Sequence, residues 1–362
     1  MLVLGIESTC DETGFAVVRN GSEILSNVVA SQGDLHTSYG GVIPELASRR
    51  HLDVCEPLLH QALLQAAVSM REIDLIAVAH GPGLVGALLV GINFAKGLAW
   101  SHEKPFIGVN HVEAHLFSSL MSHSPPLPSL GVVLSGGHTA LLFVRGLGEY
   151  ELIGQTQDDA IGEAFDKVAK MLDLPYPGGP EIEKLAREGN PLRYPLKAGT
   201  IKGRPYDFSF SGLKTAALYL IRGQNGQKNS PLMISEEDKK DVAASFQHVA
   251  FSHLVEKISL SAKEWGCQSV ILGGGVVHNQ YMRTLLEKKS SLPIYYPPAG
   301  LCLDNGAMIA GLGYHVFKRE GISPWTLEAK PRIPFKESAR APTSASPTSP
   351  HVQLSGASSI QG

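Results

Sequence analysis

The sequence predicts an α/β fold made of two similar halves around a cleft. Three observations carry this. A succession of strand, polar turn, strand and strand, then helix, strand and glycine turn, runs through the chain twice. Each half offers a polar hairpin turn whose backbone N–H groups can hold a phosphate without a lysine-bearing P-loop. And the G-x-G-x-x-G fingerprint of a plain dinucleotide-binding domain is missing near the start.

In order, Leu2–Ile6 and Gly14–Arg19 are apolar strands around the polar turn Glu7-Ser-Thr-Cys-Asp-Glu-Thr13, and Ser22–Ala30 completes a meander. Pro44 to about Ala67 has helical apolar spacing and no internal glycine. Asp74–Ala79 reads as a buried strand ended by His80-Gly-Pro-Gly83, followed by a helix to about Trp100 and a short strand, Lys104–Val109. The pattern restarts with Ser129–Leu134, the turn Ser135-Gly-Gly-His-Thr139, Ala140–Arg145 and Tyr150–Gly154. Helices are expected over Asp159–Leu172, Pro180–Arg187 and about Glu237–Trp265, then a strand, Gln268–Leu272, ending in Gly273-Gly-Gly275. Leu292–Tyr296 and Asp304–Phe317 are the last strand and helix. Two duplicated ββ(β)αβα halves around one nucleotide cleft is what a two-lobed actin/Hsp70-like architecture requires. The expected division is 1–108, then 109–335 with a middle insert at about 190–235, then a Ser/Pro/Ala-rich tail, 336–362, too polar to offset its ordering entropy.

The chain is long enough for two cores, and 43% hydrophobic residues fit a globular protein. A formal net charge of −3 excludes a global nucleic-acid footprint, so any RNA contact must be local or shared with a partner. Cys10, Cys55, Cys267 and Cys302 show no C-x-x-C spacing, which fits a reducing cytosol. Glu7 follows the short apolar start, so no signal peptide is expected. Gly83–Ala95, the most apolar run, is too short to span a bilayer, so no membrane association is expected.

Asn110-His-Val-Glu-Ala-His115 places two imidazoles one helical turn apart at the end of a strand. The pair is either a solvated or core-satisfied face or half of a metal site, which needs a third ligand. Asp304 is either the N-cap of the last helix or that third ligand. Ser135-Gly-Gly-His-Thr139 is either an ordinary hairpin or an anion cradle. Among Asp159, Glu163, Asp166 and Lys167, the acids are either helix-start residues or, at Asp166, a ribose ligand. Asp11 and Glu12 are solvated turn residues or candidates for general base. Arg193, Lys197, Lys202, Arg204 and Lys214, interleaved with Tyr194, Tyr206, Phe208 and Phe210, read as an RNA-contacting loop or a packed insert.

Several strings together resemble one family. They are Gly5–Gly14, Tyr39-Gly-Gly-Val-Ile-Pro-Glu-Leu-Ala-Ser-Arg49, Gly81–Gly91, the histidine pair, Ser135–Thr139, Gly162–Lys167, Tyr176-Pro-Gly-Gly-Pro180, Asp207–Lys214 and Asp304–Met308. Over about residues 1–335 the chain is similar to the bacterial TsaD-type tRNA adenosine threonylcarbamoyltransferases. The resemblance implies an acyltransferase that moves threonylcarbamoyl from threonylcarbamoyl-AMP to the exocyclic amine of adenosine 37. It implies His111, His115 and Asp304 as ligands of one divalent metal per subunit, Fe2+ in preference to Zn2+. It implies adenylate contacts from Leu134, Ser135, Gly136, Gly137, His138, Asp166, Gly179, Glu183 and Asn279, with Glu183 standing where relatives often carry aspartate. Gly275-Val-Val-His-Asn279 departs from the usual Gly-Val-Ser-Ala-Asn, and Leu303 from a usual threonine. Expected partners are tRNA, a degenerate paralogue of the same fold (TsaB-type) and a small P-loop ATPase (TsaE-type), in the cytoplasm. Pro44–Ala67 and Gly83–Trp100 are candidate docking faces.

An acyl adenylate is already activated, so no covalent nucleophile is needed, and no Ser/His/Asp or Cys/His arrangement stands out. Asp11 or Glu12 is the expected acceptor of the amine proton. The competing readings are a small-molecule kinase of the same fold, a nucleotide-binding scaffold and a metalloprotease. A kinase would hold magnesium with oxygens rather than imidazoles. A zincin needs H-E-x-x-H, and here the acid, Glu113, comes one position late.

Overall fold

The computed structural model describes residues 1–37, 39–224 and 231–336. Nearly all of the tail expected at 336–362 lies outside the described residues. The first half supplies β1 (Leu2–Glu7), β2 (Glu12–Arg19), β3 (Glu23–Ser31), α1 (Gly33–Thr37), α2 (Pro44–Ala66), β4 (Leu75–Gly81), α3 (Val85–Ser101) and β5 (Phe106–Asn110). Then come α4 (His111–Leu120), β6 (Ser129–Leu134), β7 (Thr139–Gly146), β8 (Glu149–Gln155), α5 (Ile161–Met171), α6 (Gly178–Ala186), α7 (Ser211–Arg222) and α8 (Glu236–Glu264). The chain closes with β9 (Ser269–Gly273), α9 (Gln280–Lys289), β10 (Ile294–Tyr295) and α10 (Gly306–Glu320).

The duplication is a topological fact. One five-stranded sheet has the order β3-β2-β1-β4-β5 and the other β8-β7-β6-β9-β10. In each, the first strand pairs antiparallel with the second and parallel with the fourth. The central strands are apolar along their whole length because helices cover both faces. The core of the second half centres on Phe165, Phe246 and Phe251, with ring centroids 5.0 Å apart in both Phe165 pairs. Burying each ring is worth about 1.5–3 kcal/mol.

The halves exchange their last helices. α4 follows β5 but packs on β9 and β6 of the second sheet, whereas α10 follows β10 but packs on β1, β2 and β4 of the first. The sequence division, which placed everything after residue 109 in the second half, therefore misses α10. Its approach depends on small residues: a Cβ on Gly5 would meet the backbone of Gly306, and one on Gly306 the backbone of Phe15 and Ala16. α4 and α10 also pack on each other, with the Phe117 ring against Gly311.

The insert holds a helix that its basic and aromatic composition did not announce. α7 is capped from a distance, because Asp158 Oδ1 accepts from the backbone N–H of Phe210 and Ser211 at 2.8 and 3.3 Å. Asp158 and Asp159 precede α5 rather than open it, and Asp159 pairs with Lys167 and Lys214. Phe208 and Phe210 are fully buried and Tyr206 nearly so. Of the two readings left open for this stretch, Tyr206, Phe208 and Phe210 follow the packed insert, while Tyr194 is half-buried. Arg193, Lys197, Lys202 and Arg204 remain exposed.

Candidate metal centre and cleft

β5 ends at Asn110, whose side chain caps α4 by accepting from the N–H of Val112 and Glu113 at 2.9 and 3.2 Å. That start sets His111 and His115 on one face, ring centroids 4.5 Å apart. Asp304 arrives from the far end of the chain. It does not cap α10; Asn305 does, accepting from Met308 N–H at 3.0 Å. The Asp304 carboxylate is thereby free, and its Oδ1 lies 3.1 Å from His115 Nε2 and 3.7 Å from His111 Nε2.

This group fits a divalent metal. His115 is fully buried; its Nδ1 has no hydrogen-bond partner, and its Nε2 has the Asp304 carboxylate at 3.1 Å. Two imidazole nitrogens and a carboxylate oxygen converging within 4.8 Å of one another form a donor set for such an ion. His111 Nδ1 lies 2.9 Å from Glu7 Oε2 and 3.3 Å from Thr9 Oγ1, which turns Nε2 towards Asp304. Glu7 is itself fixed, since its Oε1 accepts from Thr9 N–H at 2.6 Å. A carboxylate behind a ligating imidazole fixes its tautomer and raises its basicity. Glu7 and Thr9 escaped the sequence reading. The one hint was an ionisable residue at the end of an otherwise apolar strand.

The electrostatics agree. Burial opposes a charge on His111, but Glu7 and then Asp304 outweigh it and lift its pKa to about 9. Burial would likewise raise the Asp304 carboxyl, yet His111 and His115 hold it below the usual carboxylate range. Burial, with His111 and His115 nearby, lowers His138 to about 4, so it stays a neutral imidazole. His138 thus places the Ser135–Thr139 hairpin beside the metal group. Ser135 N–H donates to His138 O at 2.8 Å and His138 N–H to Ser135 Oγ at 3.0 Å, which closes the turn. Gly136 and Gly137 face open space even where a Cβ would stand. Leu134 is fully buried, so only its backbone can meet a ligand.

The other expected ligand contacts are already engaged. Asp166 Oδ1 accepts from Gly178 N–H at 2.8 Å and so anchors the start of α6; burial raises its pKa to about 6 despite the Gly178 and Gly179 N–H groups. Gly179 itself faces open space. Asn279 caps α9 through Oδ1 and donates to Gln247 Oε1 at 3.0 Å. Glu183 Oε1 accepts from Gln280 N–H at 2.9 Å. Glu183, Gln247, Gln280 and Tyr281 line a cavity of about 410 Å³. Of the departures from the usual pattern, Val277 is buried and Leu303 exposed, and His278 is half-buried.

Asp11 and Glu12 are not solvated turn residues. Asp11 is 8% exposed, and Tyr176, from the other half, donates to its Oδ2 at 3.0 Å. Burial, then Asp11 and Asp304, push the Glu12 carboxyl up to about 10. Glu12 therefore keeps its proton at neutral pH and does not present a ready base in this state. Glu113, the acid that the protease reading would need, is buried beside Tyr150 and Arg319.

A family model described as "TsaD: tRNA N6-adenosine threonylcarbamoyltransferase" matches residues 23–311. The chain belongs to this family. A tRNA N6-adenosine threonylcarbamoyltransferase of Protochlamydia amoebophila is 58% identical over 340 residues, covering 93% of this chain and 99% of that protein. Its counterpart in Chlamydia pneumoniae is 51% identical over 326 residues, covering 90% and 94%. Among solved structures, full-length HypF in a phosphate- and nucleotide-bound form superposes with a TM-score of 0.56 at 15% identity, over 89% of this chain and 56% of that one. Component A of (R)-2-hydroxyglutaryl-CoA dehydratase from Acidaminococcus fermentans gives 0.51 at 13% identity, over 88% and 98%. These likenesses show the actin/Hsp70-like fold, as the duplicated pattern predicts.

Proposed function

We propose that the chain transfers threonylcarbamoyl from threonylcarbamoyl-AMP to the exocyclic amine of adenosine 37 in tRNAs reading codons that begin with adenine, and releases AMP. The observation that carries this reading is the buried cluster of His111, His115 and Asp304, set beside an open glycine hairpin. His111, His115 and Asp304 would hold the ion, iron or zinc. When bound, it supplies a Lewis acid for a phosphate or carbonyl oxygen. The Gly136 and Gly137 N–H groups stabilise charge on the leaving phosphate. Asp166, Gly179, Glu183 and Asn279 border the nucleotide, with Asp166 and Asn279 acting as much on α6 and α9 as on the ligand.

The reaction joins the amine nitrogen to the carbonyl carbon and breaks the bond from that carbon to the phosphate oxygen, which leaves with the electron pair. The amine proton passes to Asp11, whose Oδ2 the Tyr176 hydroxyl holds from the other half, since burial keeps the proton on Glu12. Most of the remaining rate comes from holding amine and carbonyl in register. Two imidazoles and one carboxylate are not the all-oxygen set that a magnesium-dependent kinase needs.

The proposed partners are tRNA, a TsaB-type paralogue and a TsaE-type ATPase. Among the described residues no helix is long and apolar enough to cross a membrane, and we place the activity in the cytoplasm with its tRNA substrate. The test is nucleoside mass spectrometry on unmodified ANN-decoding tRNA, incubated with the protein, threonylcarbamoyl-AMP and the paralogue. Threonylcarbamoyladenosine is expected with the wild type and lost with His111→Ala. No product from metal-loaded, partnered wild type would leave a nucleotide-binding scaffold as the reading.

A further inference from the structure

The turn that carries Asp11 is held by both halves of the molecule. From the first half, His51 Nε2 lies 3.0 Å from Cys10 O, His51 Nδ1 lies 2.7 Å from Thr13 Oγ1, and Gln32 N–H donates to Asp11 O at 2.9 Å. These bonds fix the turn, and within it the Asp11 carboxylate has the Cys10 and Glu12 side chains as hydrogen-bonding neighbours. The second half reaches that side chain through Tyr176, whose hydroxyl donates to Asp11 Oδ2.

Tyr176 is set by the nucleotide subsite. It precedes the Pro177–Gly179 turn that Asp166 anchors through Gly178 N–H. Its carbonyl lies 3.2 Å from Thr37 Oγ1, across the cleft, and shares that hydroxyl with Gly33 O at 2.8 Å. A second crossing lies beside it: Lys170 Nζ, at the end of α5, donates to Tyr39 O and Gly40 O at 2.6 and 2.9 Å. Gly40 has φ +62°, and a Cβ there would strike Lys170. The tight turn therefore presents its carbonyls to the lysine only as glycine.

We propose that Tyr176 is a positioning residue for the transfer reaction, fixing the Asp11 carboxylate from the opposite half when Thr37 and Lys170 clasp the cleft shut. The phenol occupies Oδ2 and leaves Oδ1 to accept the amine proton. Because Asp166 anchors both the Tyr176 turn and the nucleotide side of the cleft, an occupied subsite and an oriented base arrive together. An open cleft leaves Asp11 without the phenol, so the base takes its full set of contacts only when the two halves meet.

This rests on the transfer activity proposed above, and wild-type protein run alongside separates the two. Tyr176→Phe keeps the ring and removes the hydroxyl. Its kcat is expected to fall about tenfold, the worth of one hydrogen bond to a charged group, with KM for threonylcarbamoyl-AMP changed less than about twofold. Thr37→Val, at an exposed site that does not disturb the core, is expected to lower kcat about two- to threefold in the same pattern. Product from wild type with unchanged kcat in both variants overturns the inference alone. A rise in KM that accounts for the whole loss also overturns it, since that is the signature of a merely structural contact. No product from wild type overturns the activity and this inference with it.

Discussion

Glu7 decides which nitrogen His111 offers to an ion. Glu7→Gln keeps the shape of the contact and removes its charge, and metal affinity is expected to fall about 10–100-fold in competition with a chromophoric chelator. The same carboxylate sets a pH dependence. Unfolded, His111 titrates near 6.5; folded and metal-free, near 9. A raised pKa contributes stability that is fully present below about pH 6.5 and lost as pH climbs towards 9. The melting temperature of chelator-treated protein is thus expected to drop across that window. Binding an ion requires the proton to leave, so apparent metal affinity is expected to rise over the same range, by up to about tenfold per pH unit. Parallel slopes with and without metal would reject the triad. The histidine pair was legible in the sequence because residue type and one-turn spacing are local properties, whereas Asp304 joined it only through the family resemblance. Glu7 was not, because its meaning lies in a histidine 104 positions away. Nor was the freedom of Asp304, which depends on Asn305 taking the cap.

Helices α2 and α3 leave large apolar groups in solvent: Leu52 is 66% exposed, Leu64 80% and Trp100 75%. Leu52, Cys55, Leu89, Val90, Asn93 and Phe94 surround a hollow of about 280 Å³ between the two helices. The docking faces proposed from the sequence lie on these same two helices. Leu52→Glu with Leu64→Glu is expected to weaken association with the paralogue at least about tenfold, by gel filtration or calorimetry, with little change in melting temperature. Reversing Arg49 and Arg50 tests the charged edge of the same face. The middle insert divides by residue type. Phe210→Ala is expected to cost about 3–5 kcal/mol of stability, read by denaturant titration. Lys202→Glu with Arg204→Glu is expected to weaken tRNA binding and flatten its salt dependence by about 0.7 per lost phosphate contact, with stability unchanged. Alternating basic and aromatic residues look the same in sequence whether the rings point out or in; their burial ahead of α7, where Asp158 holds the backbone of Phe210 and Ser211, is a long-range outcome.

The two-fold plan was visible because each half repeats the same succession of periodicities. The exchange of terminal helices was not. It is written in glycines and alanines whose value is close approach, and nothing local says which sheet they approach. Gly311 is the clearest case: a Cβ there would lie 2.7 Å from the Phe117 ring, where α10 meets α4. Gly311→Ala is expected to destabilise the protein by about 1–3 kcal/mol and to weaken metal binding as well, because it pushes apart the helices that carry His115 and Asp304. Retained metal affinity in a destabilised Gly311→Ala protein would separate the packing of these helices from the metal centre.

Because α4 and α10 each follow a strand of one half and lie on the sheet of the other, the ion they would share sits at the fulcrum of the two lobes rather than in either jaw. Parting the lobes would take Tyr176 from Asp11, whereas α4 and α10, packed on each other, would keep His115 and Asp304 together. Substrate exchange and ion retention would then be separable in one molecule.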